Sequence, residues 1–227
     1  MPPKNSLKIY VNDSYYHIYN RGVAKCRIFE DHDDYISFLA DLKFYLSPIP
    51  KHFKGLSLKV SKDEKIYTYF PSQQPNNHAG KVELVAYCLM PNHFHLCIHQ
   101  TDKVTMTNFM RSLATKYSMY FNKKYERVGS LFQGVYKAVL ISDEQQFLYL
   151  TKYIHRNPLE LIGNDPRKLI GYSYSSYRNY LGIIHQNWIH SENVLSYFSK
   201  TNSNHTYKSF VEESPSEICD TPQLTLE

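Results

Sequence analysis

The chain has 227 residues, a formal charge of +5 and 15% aromatic residues, enough to bury the core of one domain of about 150–200 residues with appendages. Residues 199–227 hold two Lys against five Asp and Glu, so residues 1–198 carry 24 basic against 16 acidic side chains; with the aromatic content, that balance suits nucleic acid, a polyanion that also offers rings to stack on. Cys26, Cys88, Cys97 and Cys219 show no C-x-x-C spacing, the opening MPPKNSLKIY lacks the apolar core of a signal peptide, and no run approaches the ~18 apolar residues of a membrane span. These features speak against a disulfide scaffold, a structural zinc knuckle and a membrane protein, and the expectation is a cytoplasmic chain with reduced thiols.

Residues 15–21, YYHIYNR, alternate as a strand that places His17 in a sheet, and Gly22 ends it with a residue that tolerates positive φ. The following AKCRIF carries Lys25 and Arg27 into a basic loop. Over residues 31–46 the apolar positions Tyr35, Phe38, Leu39, Leu42 and Leu46 recur at helical spacing behind Asp residues suited to a helix start. Residues 47–80, with prolines at 48, 50, 71 and 75 and lysines clustered between 51 and 65, read as an insertion. Because so long a structureless loop is uncommon within a domain, LSLKV and IYTYF are expected to pair there as a small hairpin.

Residues 81–89 and 93–99 form a second hairpin about the turn Met90-Pro91-Asn92. After the turn, Phe94, Leu96 and Ile98 should face a core, while His93, His95, Cys97 and His99 should face an open, polar side. Two residues apart on a strand, the His93 and His95 Cα atoms lie roughly 6.6 Å apart on one side. Both imidazoles can then reach one metal ion at ~2.1 Å, whereas His99 is too far along.

Residues 105–125 place Met106, Phe109, Met110, Leu113, Tyr117 and Tyr120 on one helical stripe, with Arg111, Lys116, Lys123 and Lys124 mostly elsewhere. Residues 130–141 read as the last strand, and Ser142 with Gln145 as a capping box opening the next helix. That helix carries Tyr149, Tyr153 and Asn157 one turn apart on one face and stops at Pro158. Two short helices are expected to fold back within 158–198, and 199–227 reads as a disordered tail. The order strand, helix, two strands, helix, strand, helix lacks a βαβ rhythm. It predicts an α+β fold of ferredoxin-like topology, an antiparallel sheet with helices on one face.

The motifs MPNHFHL at residues 90–96 and YIHRNP at 153–158, in that order, resemble those of the single-tyrosine HUH transposases, in particular the IS200-like branch associated with repeated extragenic palindromes. The resemblance extends over most of residues 15–198, although Tyr174 stands where a Trp would be expected. It implies an HUH catalytic domain over 1–157 with the 47–80 insertion, and a helical appendage over 158–198. It further implies Mg²⁺ or Mn²⁺ on His93, His95 and Asn157, and Tyr153 as the nucleophile that cuts DNA to leave a 5′-phosphotyrosine and a free 3′-OH. Tyr149 is the rival nucleophile. Single-stranded or hairpin DNA is the implied partner of a monomer or homodimer, with Arg21, Lys25, Arg27, Arg111, Lys116, Lys137 and Arg156 as DNA contacts and His155 as a phosphate or structural contact. A relative that binds DNA or RNA without cutting, and a zinc hydrolase using His93, His95 and His17 or Cys97, remain as alternatives.

Overall fold

The computed structural model describes residues 8–48, 58–62, 65–69, 77–202 and 205–213. Strand β1 (Ser14–Arg21) leads through helix α1 (His32–Leu46) and a small hairpin, β2 (Leu58–Lys62) with β3 (Lys65–Tyr69), to the central hairpin β4 (Val82–Met90) and β5 (His93–Gln100). Helix α2 (Thr105–Lys124), strand β6 (Lys137–Leu140) and helix α3 (Glu144–Arg156) follow. The four long-range strands pair in the order β4-β5-β1-β6, antiparallel throughout, with β2 and β3 forming a sheet of their own. Leaving out the inserted hairpin, that order is the ferredoxin-like one. No helix among the described residues is long and apolar enough to cross a membrane.

Local chemistry fixes the ends of these elements. Asp31 caps α1 by accepting from the Asp34 backbone N–H while Asp34 reaches back to the Asp31 N–H, a reciprocal box that satisfies donors left over at a helix start. At this same end of α1, Lys124 Nζ lies 2.7 Å from Asp31 Oδ1 and 2.8 Å from Asp34 Oδ1, and Tyr125 donates to Asp34 Oδ2. This clasp ties α2 to α1. Beneath it Phe38 of α1 packs its ring against Phe94 of β5 (5.3 Å) and Tyr117 of α2 (5.0 Å), so one sheet face is covered by α1 and α2 as the apolar stripes require.

The opposite face is covered too, which corrects the expectation of helices on one face only. The stripe Phe147, Leu150, Thr151 and Ile154 of α3 is buried, and Phe147 meets Tyr15 of β1 at 4.4 Å between ring centroids. An amphipathic helix of this kind needs a partner surface, and α3 takes the sheet face that α1 and α2 leave. The appendage, with short helices α4 (Tyr177–Tyr180) and α5 (Glu192–Leu195), runs along the outer edge of β4. The Leu89 N–H donates to Tyr174 O, the Ser176 N–H to Tyr87 O and the His190 N–H to Leu84 O, so backbone groups of an edge strand that would otherwise stay unpaired are satisfied.

Four further expectations change. Gly22 has φ −62°, not positive; it is needed because a Cβ there would stand 2.1 Å from the Cys26 carbonyl oxygen. The strand expected over 130–141 shrinks to Lys137–Leu140, since the chain turns at Gly134 with φ +70°. Asp143, one residue after the expected Ser142, caps α3 by accepting from the Gln146 N–H. The tail expected to be disordered from 199 contains helix α6 (Tyr207–Glu212), whose Tyr207 and Val211 are buried against α3; residues 214–227 lie outside the described residues.

Candidate functional site

Strand pairing assembles the site. In register, Arg21 of β1 lies opposite His93, Tyr19 opposite His95 and His17 opposite Cys97, so side chains of these pairs share one face. That face is not open. His95, Cys97 and His17 are fully buried under α3, while His93 is half-buried at the end of the strand. The expectation of an open polar face fails because it left α3 without anything to cover.

Each histidine is oriented by a partner on one ring nitrogen. The Nδ1 of His93 lies 2.6 Å from Asn92 Oδ1; since the amide oxygen only accepts, Nδ1 carries the proton. Its Nε2 then turns a lone pair toward Asn157 Oδ1 at 3.0 Å. Neutral His93 places two acceptors face to face there, an arrangement that calls for a shared proton or cation. The Nδ1 of His95 is 2.8 Å from His17 Nε2, and its Nε2 is buried with no hydrogen-bond partner. His93 and His95 rings stand edge to face at 5.0 Å.

The phenol of Tyr153 closes the cluster, its ring 5.3 Å from that of His95 and 5.8 Å from that of His17, both edge-on. Asn157, one turn on along the chain, hydrogen-bonds with it. Tyr149 does not join: its ring lies 5.9 Å from Phe210 of α6. Burial lowers the proton affinity of His93, with a smaller contribution from the Arg21 charge against the raising effect of Asn157. Burial, then the neighbouring His17 and His93, carries His95 well below the usual imidazole range, and burial takes His17 down to about 3. All three rings are neutral at pH 7, the form in which imidazole can ligate a metal. Burial raises the Tyr153 phenol, partly offset by the Asn157 hydrogen bond.

A divalent ion fits this donor set. The orphaned His95 Nε2, the His93 Nε2 lone pair and Asn157 Oδ1 are all electron-pair donors, and the 3.0 Å between the latter two is the separation of neighbouring octahedral ligands with bonds of about 2.1 Å. The outer nitrogens are already held by Asn92 and His17, which is how ligating histidines are ordinarily fixed. Among the described residues no group of three His, Cys, Asp or Glu is placed to hold a metal. His17 uses its Nε2 on His95, so that nitrogen is not free as a third ligand for the zinc alternative.

The basic residues divide. Arg21 sits beside His93 with its Nε on Gln133 Oε1, and exposed Lys25 and Arg27 follow in a loop docked on the turn through Gly22 N–H to Asn92 O and Ile28 N–H to Pro91 O. Lys137 pairs with Tyr19 on the outer strand. Arg111 and Lys116 lie on α2, across the sheet from Tyr153, and Lys116 is ion-paired with Asp41 at 2.8 Å. Arg156 is engaged within the chain: its Nη1 donates to the Val211 and Glu213 carbonyls at 2.6 and 3.3 Å. His155 is fully buried, its nitrogens on Tyr207 Oη (2.6 Å) and Ser176 Oγ (2.8 Å). Its role is structural.

A ferredoxin-like antiparallel sheet, with two histidines of a central strand on the face that Tyr153 of a covering helix meets, defines the class by its fold. The family model described as "Transposase IS200 like" matches residues 58–157, so the likeness to IS200-like transposases is established for that stretch; β1, which supplies His17, precedes it. A solved REP-associated tyrosine transposase bound to a REP hairpin is similar at TM-score 0.50 and 10% identity, covering 83% of this chain and 98% of the other, and bears on the fold. A putative transposase from Deinococcus radiodurans gives TM-score 0.36 and 14% identity over 69% of this chain and 97% of its own. No curated protein matches the sequence.

Proposed function

We propose that the chain is a metal-dependent transposase that cuts and rejoins single-stranded DNA through a covalent 5′-phosphotyrosine and recognises DNA folded into a hairpin. The observation that carries this reading is the convergence of His93 Nε2, the unpartnered His95 Nε2 and Asn157 Oδ1 beside the Tyr153 phenol. Mg²⁺ or Mn²⁺ held by those three side chains would act as a Lewis acid on the scissile phosphate, where charge develops. His17 and Asn92 keep the two imidazoles in the tautomer that leaves Nε2 free. Arg21, beside His93 and close to the surface, and Lys25 and Arg27 of the neighbouring loop would contact phosphates of the incoming strand.

Tyr153 Oη attacks phosphorus: the O–P bond forms, the P–O3′ bond breaks, the phenol gives up its proton and the departing 3′ oxygen takes one up. The phosphodiester energy stays in the phosphotyrosine, so rejoining by a 3′-OH needs no nucleotide cofactor. A buried phenol is a weak nucleophile at neutral pH, which is why this site depends on electrophilic help at the phosphate. The hairpin preference is suggested by the solved relative described as bound to a REP hairpin.

The test is to incubate the protein and Mg²⁺ or Mn²⁺ with labelled single-stranded DNA containing imperfect palindromes, and to map any adduct by mass spectrometry. A DNA adduct on Tyr153, absent from Tyr153→Phe and retained in Tyr149→Phe, is expected. An adduct on Tyr149, or a Tyr153→Phe variant as active as the parent, would overturn the assignment.

A further inference from the structure

Arg111 poses a question, because a DNA contact on α2 is across the sheet from Tyr153. It stands at a cavity of about 330 Å³ between α2 and the β1–β6 edge, walled by Phe94, Phe132 and Tyr136 and bordered by the exposed Val135. Thr107, Met110, Arg111 and Ala114 line it from α2 at the three- and four-residue spacing of one helix face. No carboxylate lines it, and Lys8 Nζ lies 4.1 Å from the Tyr136 ring centroid. Aromatic walls, a cationic border and no negative charge suit a flat ring attached to a phosphate. The volume is at the small end of ligand pockets, which run from about 300 to 1,000 Å³.

The cavity connects to the candidate site around the edge of the sheet. β6 is the outermost strand. Lys137 pairs with Tyr19, which pairs in turn with His95, so Lys137 shares the face of the histidines. Tyr136, the residue before it, lines the cavity on the other face. Consecutive residues therefore straddle the edge, and His95, Tyr19 and Lys137 are separated by two inter-strand steps, roughly 9–10 Å in all. A single strand can cross that distance in a few nucleotides; a duplex cannot turn around an edge so short.

We infer that this cavity receives one unpaired nucleobase of the bound strand, stacked among Phe94, Phe132 and Tyr136, while Arg111 and Lys137 contact the phosphates on either side of the β6 edge. The inference rests on the single-strand DNA reading and adds to it a base subsite on the sheet face opposite the nucleophile.

The probes are a short thymidine oligonucleotide and the same length of abasic deoxyribose phosphate, titrated into the full chain at fixed salt. Ala114→Leu fills the cavity from its wall, and Val135→Trp, at an exposed position, obstructs its mouth without touching the core. Each is expected to weaken the base-bearing strand about tenfold, within the range of one lost stacking contact, and to leave the abasic strand unchanged. Arg111→Gln should weaken both probes alike and flatten the dependence of log affinity on log salt by about one unit. Equal effects of the two cavity variants on both probes, or no effect in a variant that melts as the parent does, overturn the base subsite. Base-selective losses without any tyrosine adduct would refute the cleavage reading alone; an adduct formed without base selectivity would refute the subsite alone. A parent that binds neither probe refutes both.

Discussion

Replacing His17 by Phe removes the partner that orients His95 while keeping a ring of similar volume in a fully buried position. Its cost to folding has opposing parts. His95 Nδ1 loses its only hydrogen bond, worth about 1–3 kcal/mol when a buried polar group is stranded. His17 Nδ1, already buried without a partner, disappears, which gives back a similar amount. The net change should stay within about 1 kcal/mol, or roughly 2–4 °C in melting temperature for a chain of this size. Metal binding has no such compensation. Without an acceptor at residue 17 the His95 proton is free to move to Nε2, where it blocks the lone pair, and losing an outer partner of this kind typically lowers metal affinity by about 10- to 100-fold. Calorimetric titration of Mn²⁺ into the two proteins, beside melting curves in chelator, separates the effects. His17→Gln, whose side-chain oxygen can accept from Nδ1–H, should recover part of the affinity. An unchanged Mn²⁺ affinity in a folded His17→Phe protein would falsify the role given to His17 and weaken the assignment of His95 as a ligand.

Asn157→Ala should slow adduct formation in single-turnover assays rather than abolish it, because two imidazoles and water oxygens can still hold the ion; a rate equal to the parent's would remove Asn157 from the site. Arg156→Met should release α6 from α3 at a cost of about 1.5 kcal/mol, a fall of roughly 3–6 °C; a stability loss with DNA affinity unchanged would assign Arg156 to the fold alone, and a salt-sensitive loss of affinity would assign it to the DNA contacts. Lys124→Met tests the clasp between α1 and α2. Burial alone would raise the Asp34 carboxyl, but the Lys124 ammonium, the Glu30 N–H and the Tyr125 hydroxyl together hold it below the ordinary carboxylate value of 3.8. A depressed carboxylate stabilises the fold above its unfolded pKa and loses that contribution as pH falls through the folded one. The variant should therefore melt below the parent at pH 7, and the gap should close as the pH is taken below about 3.8; a gap that persists there would show that packing, not charge, holds the helices.

What could be read from the sequence was governed by range. The alternation around His93 and His95 and the four-residue step from Tyr153 to Asn157 are local, and the strands and helix that bear them form where expected. His17 was placed in a sheet, yet its bond to His95 depends on the β1–β5 register across 78 residues, which no local pattern encodes. The buried state of His95 was legible in principle: Phe147, Leu150 and Ile154 form an apolar stripe on α3, and the histidine face was the sheet surface left to receive it. Helix α6 was hidden by composition, since its short stripe of Tyr207, Phe210 and Val211 lies in a polar stretch and forms a helix only by packing against α3. The carbonyls that Arg156 holds, Val211 in that helix and Glu213 just past it, are hidden from the sequence for the same reason.

Burial acts on the two halves of this site in opposite senses. A ligating imidazole must be neutral, and the low dielectric under α3 lowers the proton affinity of His93 and His95, so protons compete poorly for their lone pairs near neutral pH. The same surroundings raise the Tyr153 phenol, so less of it is phenolate near neutral pH than in water. One environment thus prepares the donors and restrains the attacking group. A half-buried tyrosine held by Asn157 among neutral rings has no base strong enough to deprotonate it among its described neighbours. The proposed mechanism therefore calls for new positive charge at the phosphate, which an ion held by His93 Nε2 and Asn157 Oδ1, now face to face, would supply. In that mechanism, restraint of Tyr153 until both ion and strand are present would follow from burying donors and phenol in the same layer, without any moving part.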